Sequence, residues 1–260
     1  MKKAVFFDID GTLWDNHMQI PESTIRGIQR LRENGHFAFL CSGRSRASIR
    51  SKELFDIGFD GVIAGCGTYV EYQGEIIFEK TIPYADMMEM LDVLREFEMP
   101  VFLESRKYLY AAVEEFHGDP YIKYLEEMLG ADLKTIDQYS EDSYANKMSA
   151  VCQKEKIGPL TKRLGDEWEL IFHESPVVEI VPGGFSKATG IQIACEHLGV
   201  AHKDTYAFGD SANDREMLSY VQHSVAMGNA AKEIRQNVEF VTSDIHADGI
   251  WNGLAHYGLL

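Results

Sequence analysis

Two aspartates, Asp8 and Asp10, stand two residues apart after the apolar run Ala4-Val5-Phe6-Phe7 and before Gly11 and Thr12. Gly11 permits a tight turn, so this spacing can offer a hard cation one carboxylate and one backbone carbonyl while the second carboxylate faces a leaving group. A second cluster, Asp210-Ser211-Ala212-Asn213-Asp214, follows the buried-strand pattern Thr205-Tyr206-Ala207-Phe208-Gly209 and adds a further anionic ligand, Asp210. A few protein oxygens plus retained waters suit magnesium, which bridges readily to phosphate. Taken alone, Asp-x-Asp-Gly-Thr also fits a capped turn, the lesser of the two readings. A helix cap, however, needs only one of the two carboxylates and the amide in the second cluster.

Two other positions fit an anion. Ser42 and the Gly43 backbone stand where the segment Phe37-Ala38-Phe39-Leu40-Cys41 ends and a helix is predicted to open, a place that can bind an anion, although a plain N-cap serine also fits there. Ser186 reads as an N-cap, which puts Lys187 in a first helical turn, where the helix dipole disfavours a cation. A nearby anion would relieve that conflict. A solvated lysine on an exposed turn is the alternative.

The elements that must hold these residues alternate. Strand patterns at 4–7, 37–41 and 61–64 are separated by helical patterns, one of them running from Ser42-Gly43-Arg44 to about Phe55. This β-α-β-α-β order predicts an α/β fold with a doubly wound parallel sheet, in which ligands bind outside the strand C-termini. From Thr68 to Phe78 two strands flank a turn at Gln73-Gly74, and beyond Pro83 the pattern becomes mixed. Strands are expected at 101–104, 108–113 and 147–151 and on either side of Glu174-Ser175-Pro176, with helices at 84–97, near 120–129 and after Pro159. Residues 83–182 therefore read as an inserted α+β domain, and 1–82 with 183–260 as one core.

Composition narrows the partners. The 41 Asp and Glu against 25 Lys and Arg give a formal charge of -16, a field that repels nucleic acid and anionic membrane surfaces. It repels a small phosphate ester too, so an anion site here requires a local lysine, arginine or metal ion. The four cysteines are scattered, with neither zinc-site nor disulfide-scaffold spacing, which suits a reducing cytoplasm. The apolar run before Asp8 is too short for a signal peptide, and no stretch approaches the roughly 18 uncharged residues of a membrane span.

In order along the chain, FFDIDGTLW, FLCSGR, GGFSKATG and FGDSANDREML resemble the four motifs of the haloacid dehalogenase superfamily. The inserted segment, VEIVPGGFSK and SVAMGNA at 224–230 resemble its Cof-type group with a type IIB cap. The resemblance implies a Rossmann-like core with the inserted α+β domain as a cap that sets specificity, and an Mg2+-dependent phosphatase acting on a small phosphorylated metabolite. It implies Asp8 as nucleophile, Asp10 as general acid and base, and Asp8, Asp10 and Asp210 as metal ligands. It further implies Thr12, Ser42, Gly43, Arg44, Lys187 and Asn213 as phosphate or substrate contacts, with Asp214 supporting them from behind. Two departures stand out. Gly65-Cys66-Gly67-Thr68 replaces the usual Asn-Gly-Ala, and Lys187-Ala188 replaces Lys-Gly. A phosphotransferase or mutase, and a non-catalytic phosphometabolite binder, are the competing readings; intact Asp8 and Asp10 weigh against the second.

Overall fold

The computed structural model describes residues 2–116, 118–172 and 176–260. The chain divides into two compact units: residues up to Gly43 with Ser51–Phe78 and Ser186–Leu260, and Arg44–Arg50 with Glu79–Phe185. Arg44–Arg50, which the sequence reading left with the core, thus groups with the second unit. No helix among the described residues is long and apolar enough to cross a membrane.

In the first unit an eight-stranded sheet runs in the order Phe240–Val241, His223–Ala226, Thr205–Gly209, Ala4–Phe7, Phe37–Cys41, Gly61–Ala64, Tyr69–Tyr72 and Glu75–Glu79. The first six strands pair in parallel, and Tyr69–Tyr72 turns back antiparallel on Gly61–Ala64. Ala4–Phe7 is fully buried, as a central strand covered on both faces must be. Phe6 meets Phe39 at 5.5 Å and shares a core with Ile191, Ala194 and Met217 from helices Lys187–Leu198 and Arg215–Tyr220. Phe7, one residue on and so on the other face, stacks on Phe208 at 5.2 Å. Helix Gly249–His256 covers Phe208 so closely that a Cβ on Gly253 would lie 2.3 Å from the ring. Helices on both faces of a parallel sheet make the core a doubly wound α/β fold.

The helix predicted from Ser42-Gly43-Arg44 to about Phe55 does not form as one element. The segment holds a 3₁₀ turn at Arg46–Ser48 and a short helix at Lys52–Asp56. Its serines explain the break: the Ser45 and Ser48 hydroxyls pair at 3.0 Å, and the Ser51 hydroxyl accepts from the Leu54 N–H, both of which compete with continuous helix.

The second unit is α+β. Its six-stranded sheet runs Trp168–Phe172, Val177–Pro182, Lys147–Val151, Val101–Glu104, Leu109–Ala111 and Leu133–Thr135, antiparallel except for the last pair. Helices Tyr84–Glu96 and Ile157–Leu164 bring Met87, Leu91, Leu94 and Leu160 onto Leu103, Met148 and Ile180. Helix Pro120–Leu129, capped by Asp119, packs Ile122 and Leu125 with Phe102 and Leu109, the residues of opposite parity. Ile157–Leu164 starts before Pro159 because proline is tolerated in a first turn. Of the turn expected at Glu174-Ser175-Pro176, the first two residues lie outside the described residues.

One feature of this sheet is costly unless paired. The Lys147 ammonium lies 2.8 Å from Glu179 Oε1 and 3.4 Å from Glu104 Oε1, and its side chain is 1% exposed. The Ser149 hydroxyl also donates to Glu104. Substituting Lys147→Met leaves two buried carboxylates uncompensated and is expected to cost about 3–5 kcal/mol. A thermal melt checks this: an unchanged midpoint would show that the lysine does not hold the two carboxylates.

Candidate functional site

Strand register brings the two acidic clusters together. Phe7 lies opposite Phe208, and the Asp8 N–H donates to the Phe208 carbonyl at 3.0 Å, so Asp8 and Asp210 leave neighbouring strand ends side by side. On the other flank of Ala4–Phe7, the strand Phe37–Cys41 delivers Ser42, whose N–H donates to the Ile63 carbonyl at 2.9 Å. Here successive connections diverge to either side of the first strand, the place where an open parallel sheet forms a binding crevice.

Lys187 sits at the centre. It begins helix Lys187–Leu198 and is 2% exposed, which rules out the solvated alternative. Its Nζ lies 2.6 Å from Asp8 Oδ1 and 2.6 Å from Asp214 Oδ1. These carboxylates supply the anion that a cation in a first helical turn requires. The other Asp214 oxygen accepts the Asp210 N–H at 2.9 Å and the Ser211 N–H at 3.1 Å. Asp214 thus ties the lysine to the turn that carries Asp210. Thr12 Oγ1 approaches Asp210 Oδ1 at 3.4 Å. Gly11, with φ +82, is forced: a Cβ there would fall 2.2 Å from Asp210 Oδ2.

Oxygens of Asp8, Asp210 and Asp214 all lie within 4.8 Å of one another. Three carboxylates against one ammonium leave an excess of negative charge in a buried place. Burial, then the charge of Asp214, holds the Asp8 carboxyl well above its usual range despite Lys187. Burial and Asp214 push Asp210 up to about 7. Burial alone would depress Lys187, but Asp214 and Asp8 hold it well above the usual lysine value. The residues fit a divalent cation, since bound positive charge removes the excess that raises both carboxyls. Asp214 has both oxygens engaged, which leaves the carboxylates of Asp8 and Asp210 to hold such an ion.

Asp10 is exposed, and its carboxylate accepts the Trp14 indole N–H at 2.9 Å. Asn213 accepts from the Ser211 hydroxyl within the turn Ala212–Asp214. Ser42 is buried at its strand end beside Gly43, but no helix opens there, so the expected helix-terminus contribution to anion binding is absent at this point. Arg44 belongs to the second unit, where its charge acts on the Tyr121 hydroxyl. Two supporting residues escaped the sequence reading. Trp14 steadies Asp10, and Asn229 donates to the Gly11 carbonyl at 2.8 Å while accepting the Ile245 N–H at 3.1 Å. The Asn after Gly228 in SVAMGNA was the available signal.

An acidic, lysine-centred crevice at the strand ends of a parallel sheet is suited to binding a metal ion and a phosphoryl group. A haloacid dehalogenase-like hydrolase profile matches residues 5–254, and the chain belongs to that family, in its Cof-type group. It is a phosphatase. YkrA of Bacillus subtilis (strain 168), which bears a phosphatase name, is 32% identical over 259 residues, covering 99% of this chain and 98% of YkrA. The 5-amino-6-(5-phospho-D-ribitylamino)uracil phosphatase YitU of the same organism is 25% identical, over 97% of this chain and 96% of its own. The solved subclass IIB sugar phosphatase BT4131 superposes with a TM-score of 0.86 over 100% of both chains at 24% identity, a likeness of fold.

Proposed function

We propose that this phosphatase hydrolyses a small phosphorylated metabolite through a covalent phosphate on Asp8, with magnesium held by the Asp8 and Asp210 carboxylates and the Asp10 carbonyl. The observation that carries the reading is the Lys187 ammonium held between Asp8 and Asp214, next to Asp210. Asp8 attacks phosphorus, and Asp10 protonates the leaving oxygen. Asp10 then takes a proton from the water that attacks the phosphorus of the acyl phosphate, releasing inorganic phosphate and restoring Asp8. Lys187 offsets charge on the phosphoryl oxygens, and Ser42, Gly43, Thr12 and Asn213 are assigned to orient them. Magnesium bound there would supply further neutralisation of those oxygens.

The second unit is assigned the role of the specificity cap, with Arg44 among its substrate contacts. The phosphorylated ribitylaminouracil and sugar substrates named for YitU and BT4131 support a small metabolite. The four free, buried cysteines support a reducing, cytoplasmic setting. Release of phosphate from p-nitrophenyl phosphate, with magnesium and with excess chelator, tests the reading. Full turnover in chelator would remove the metal, and no turnover in either condition would leave only a binding function.

A second measurement does not depend on turnover. The Asp210 carboxyl is raised from the ordinary 3.8 to about 7, so the folded chain keeps a proton that the unfolded chain has lost. The stability this group contributes is fully present below the lower value and is lost as pH rises through the upper one. Magnesium binds the deprotonated form and opposes that loss. The metal-free thermal midpoint should therefore fall between about pH 5 and 8, and magnesium should raise it more at the higher pH. An equal magnesium shift at both would place the ion elsewhere.

A further inference from the structure

The segment Gly65-Cys66-Gly67-Thr68, where this chain departs from the pattern it otherwise resembles, has an unusual backbone. Three successive residues take positive φ: Gly65 at 57, Cys66 at 55 and Gly67 at 85 degrees. Two are glycines, for which this is easy. Cys66, with ψ 42, is a side-chain-bearing residue in the left-handed region and is 1% exposed. Residues outside the comfortable regions persist where their surroundings hold them, and they gather near functional sites.

The turn lies between the two segments assigned to bind the phosphoryl group. On one side the Cys66 N–H donates to the Ser42 carbonyl at 3.3 Å, and its Sγ lies 4.0 Å from the Gly43 carbonyl. On the other side Gly67 lies against the first turn of the helix that begins at Lys187. A Cβ on Gly67 would fall 2.1 Å from the Ser186 carbonyl oxygen and 2.9 Å from the Gly190 nitrogen. Thr68 closes the turn from within, donating through Oγ1 to the Gly65 carbonyl at 2.7 Å.

We propose that Cys66 is a positioning residue for phosphoryl transfer, and that its left-handed backbone sets the spacing between Ser42-Gly43 and Lys187. The role belongs to the conformation rather than to the thiol. With its N–H on the Ser42 carbonyl, the left-handed turn at Cys66 carries the chain on to place Gly67 against the Ser186 carbonyl. The proposal rests on the phosphatase reading and makes Cys66 a support for groups that touch the phosphate, without touching it itself.

The test compares residues by their tolerance of positive φ. Cys66→Gly and Cys66→Asn accept that conformation and should keep kcat/KM for p-nitrophenyl phosphate within about threefold. Cys66→Val, β-branched, should lower kcat/KM about 100-fold, mostly in kcat, with orthophosphate bound about tenfold more weakly by calorimetry, all measured well below the melting midpoint. Gly67→Ala, which pushes on the Ser186 carbonyl, should behave like the valine variant and replaces it if that fails to fold. Equal losses in Cys66→Gly and Cys66→Val would assign the role to the thiol and overturn the proposal, as would unchanged turnover and orthophosphate affinity in Cys66→Val and Gly67→Ala. Were the wild-type protein inactive, the phosphatase reading would fail by itself, and the orthophosphate affinities would still decide on Cys66.

Discussion

Asp8→Asn should abolish phosphoenzyme formation and lower turnover by about 10,000-fold or more, while leaving a folded protein. Folding should survive because the asparagine side chain retains an oxygen for the Lys187 ammonium, which in the wild type is 2.6 Å from Asp8 Oδ1. Removing the charge also relieves its repulsion with Asp214, so the thermal midpoint should be equal or higher. Asp10→Asn should fail differently. An aryl phosphate has a leaving group that needs no proton, so this variant should still be phosphorylated on Asp8 and then stall, because nothing activates the hydrolytic water. Mass spectrometry of the peptide containing Asp8 separates the two: added phosphoryl mass accumulates in the Asp10 variant and is absent from the Asp8 variant. Phosphate found on Ser42 or a histidine, or undiminished turnover in Asp8→Asn, would require a mechanism without this nucleophile.

The positions proposed for these roles are legible in the sequence to the extent that they depend on local order. A short uncharged run ending in Asp8, another ending at Asp210, and a serine placing Lys187 in a first helical turn are each features of a few neighbouring residues. What those features could not say is which of them touch. Lys187 meets Asp8 and Asp214 only through strand pairing and helix packing, and Asn229 reaches the Gly11 carbonyl across a separation of 218 residues. The double duty of Asp214, which holds the lysine with one oxygen and two backbone N–H groups with the other, is likewise invisible in Asp-Ser-Ala-Asn-Asp. The segment after Ser42-Gly43-Arg44 departs from the expected single helix for a local reason. One helix is expected to follow the strand end, but Ser45, Ser48 and Ser51 hydrogen-bond within the segment and divide it.

Lys187→Met should damage both the fold and the chemistry, and the two losses can be separated. In the wild type the lysine is the cation between Asp8 and Asp214, whose side chains are 5% and 0% exposed. Its removal leaves two buried carboxylates facing each other, a cost of about 3–5 kcal/mol near neutral pH. Lys187 is also what pulls the Asp8 carboxyl downward against burial and Asp214, so in the variant Asp8 rises further. A carboxyl raised above its unfolded value stabilises the fold at low pH and loses that contribution as pH rises through its folded value. The variant's midpoint should therefore approach that of the wild type in acid and fall away from it as pH increases. Combining Lys187→Met with Asp214→Asn removes one of the two opposed charges and should restore much of the stability. It should restore none of the turnover, because the phosphoryl oxygens still lack their cation. A single Lys187→Met variant as stable as wild type at about pH 8 would show that the carboxylates are not held as charged groups, and recovery of turnover in the double variant would remove Lys187 from the phosphate site.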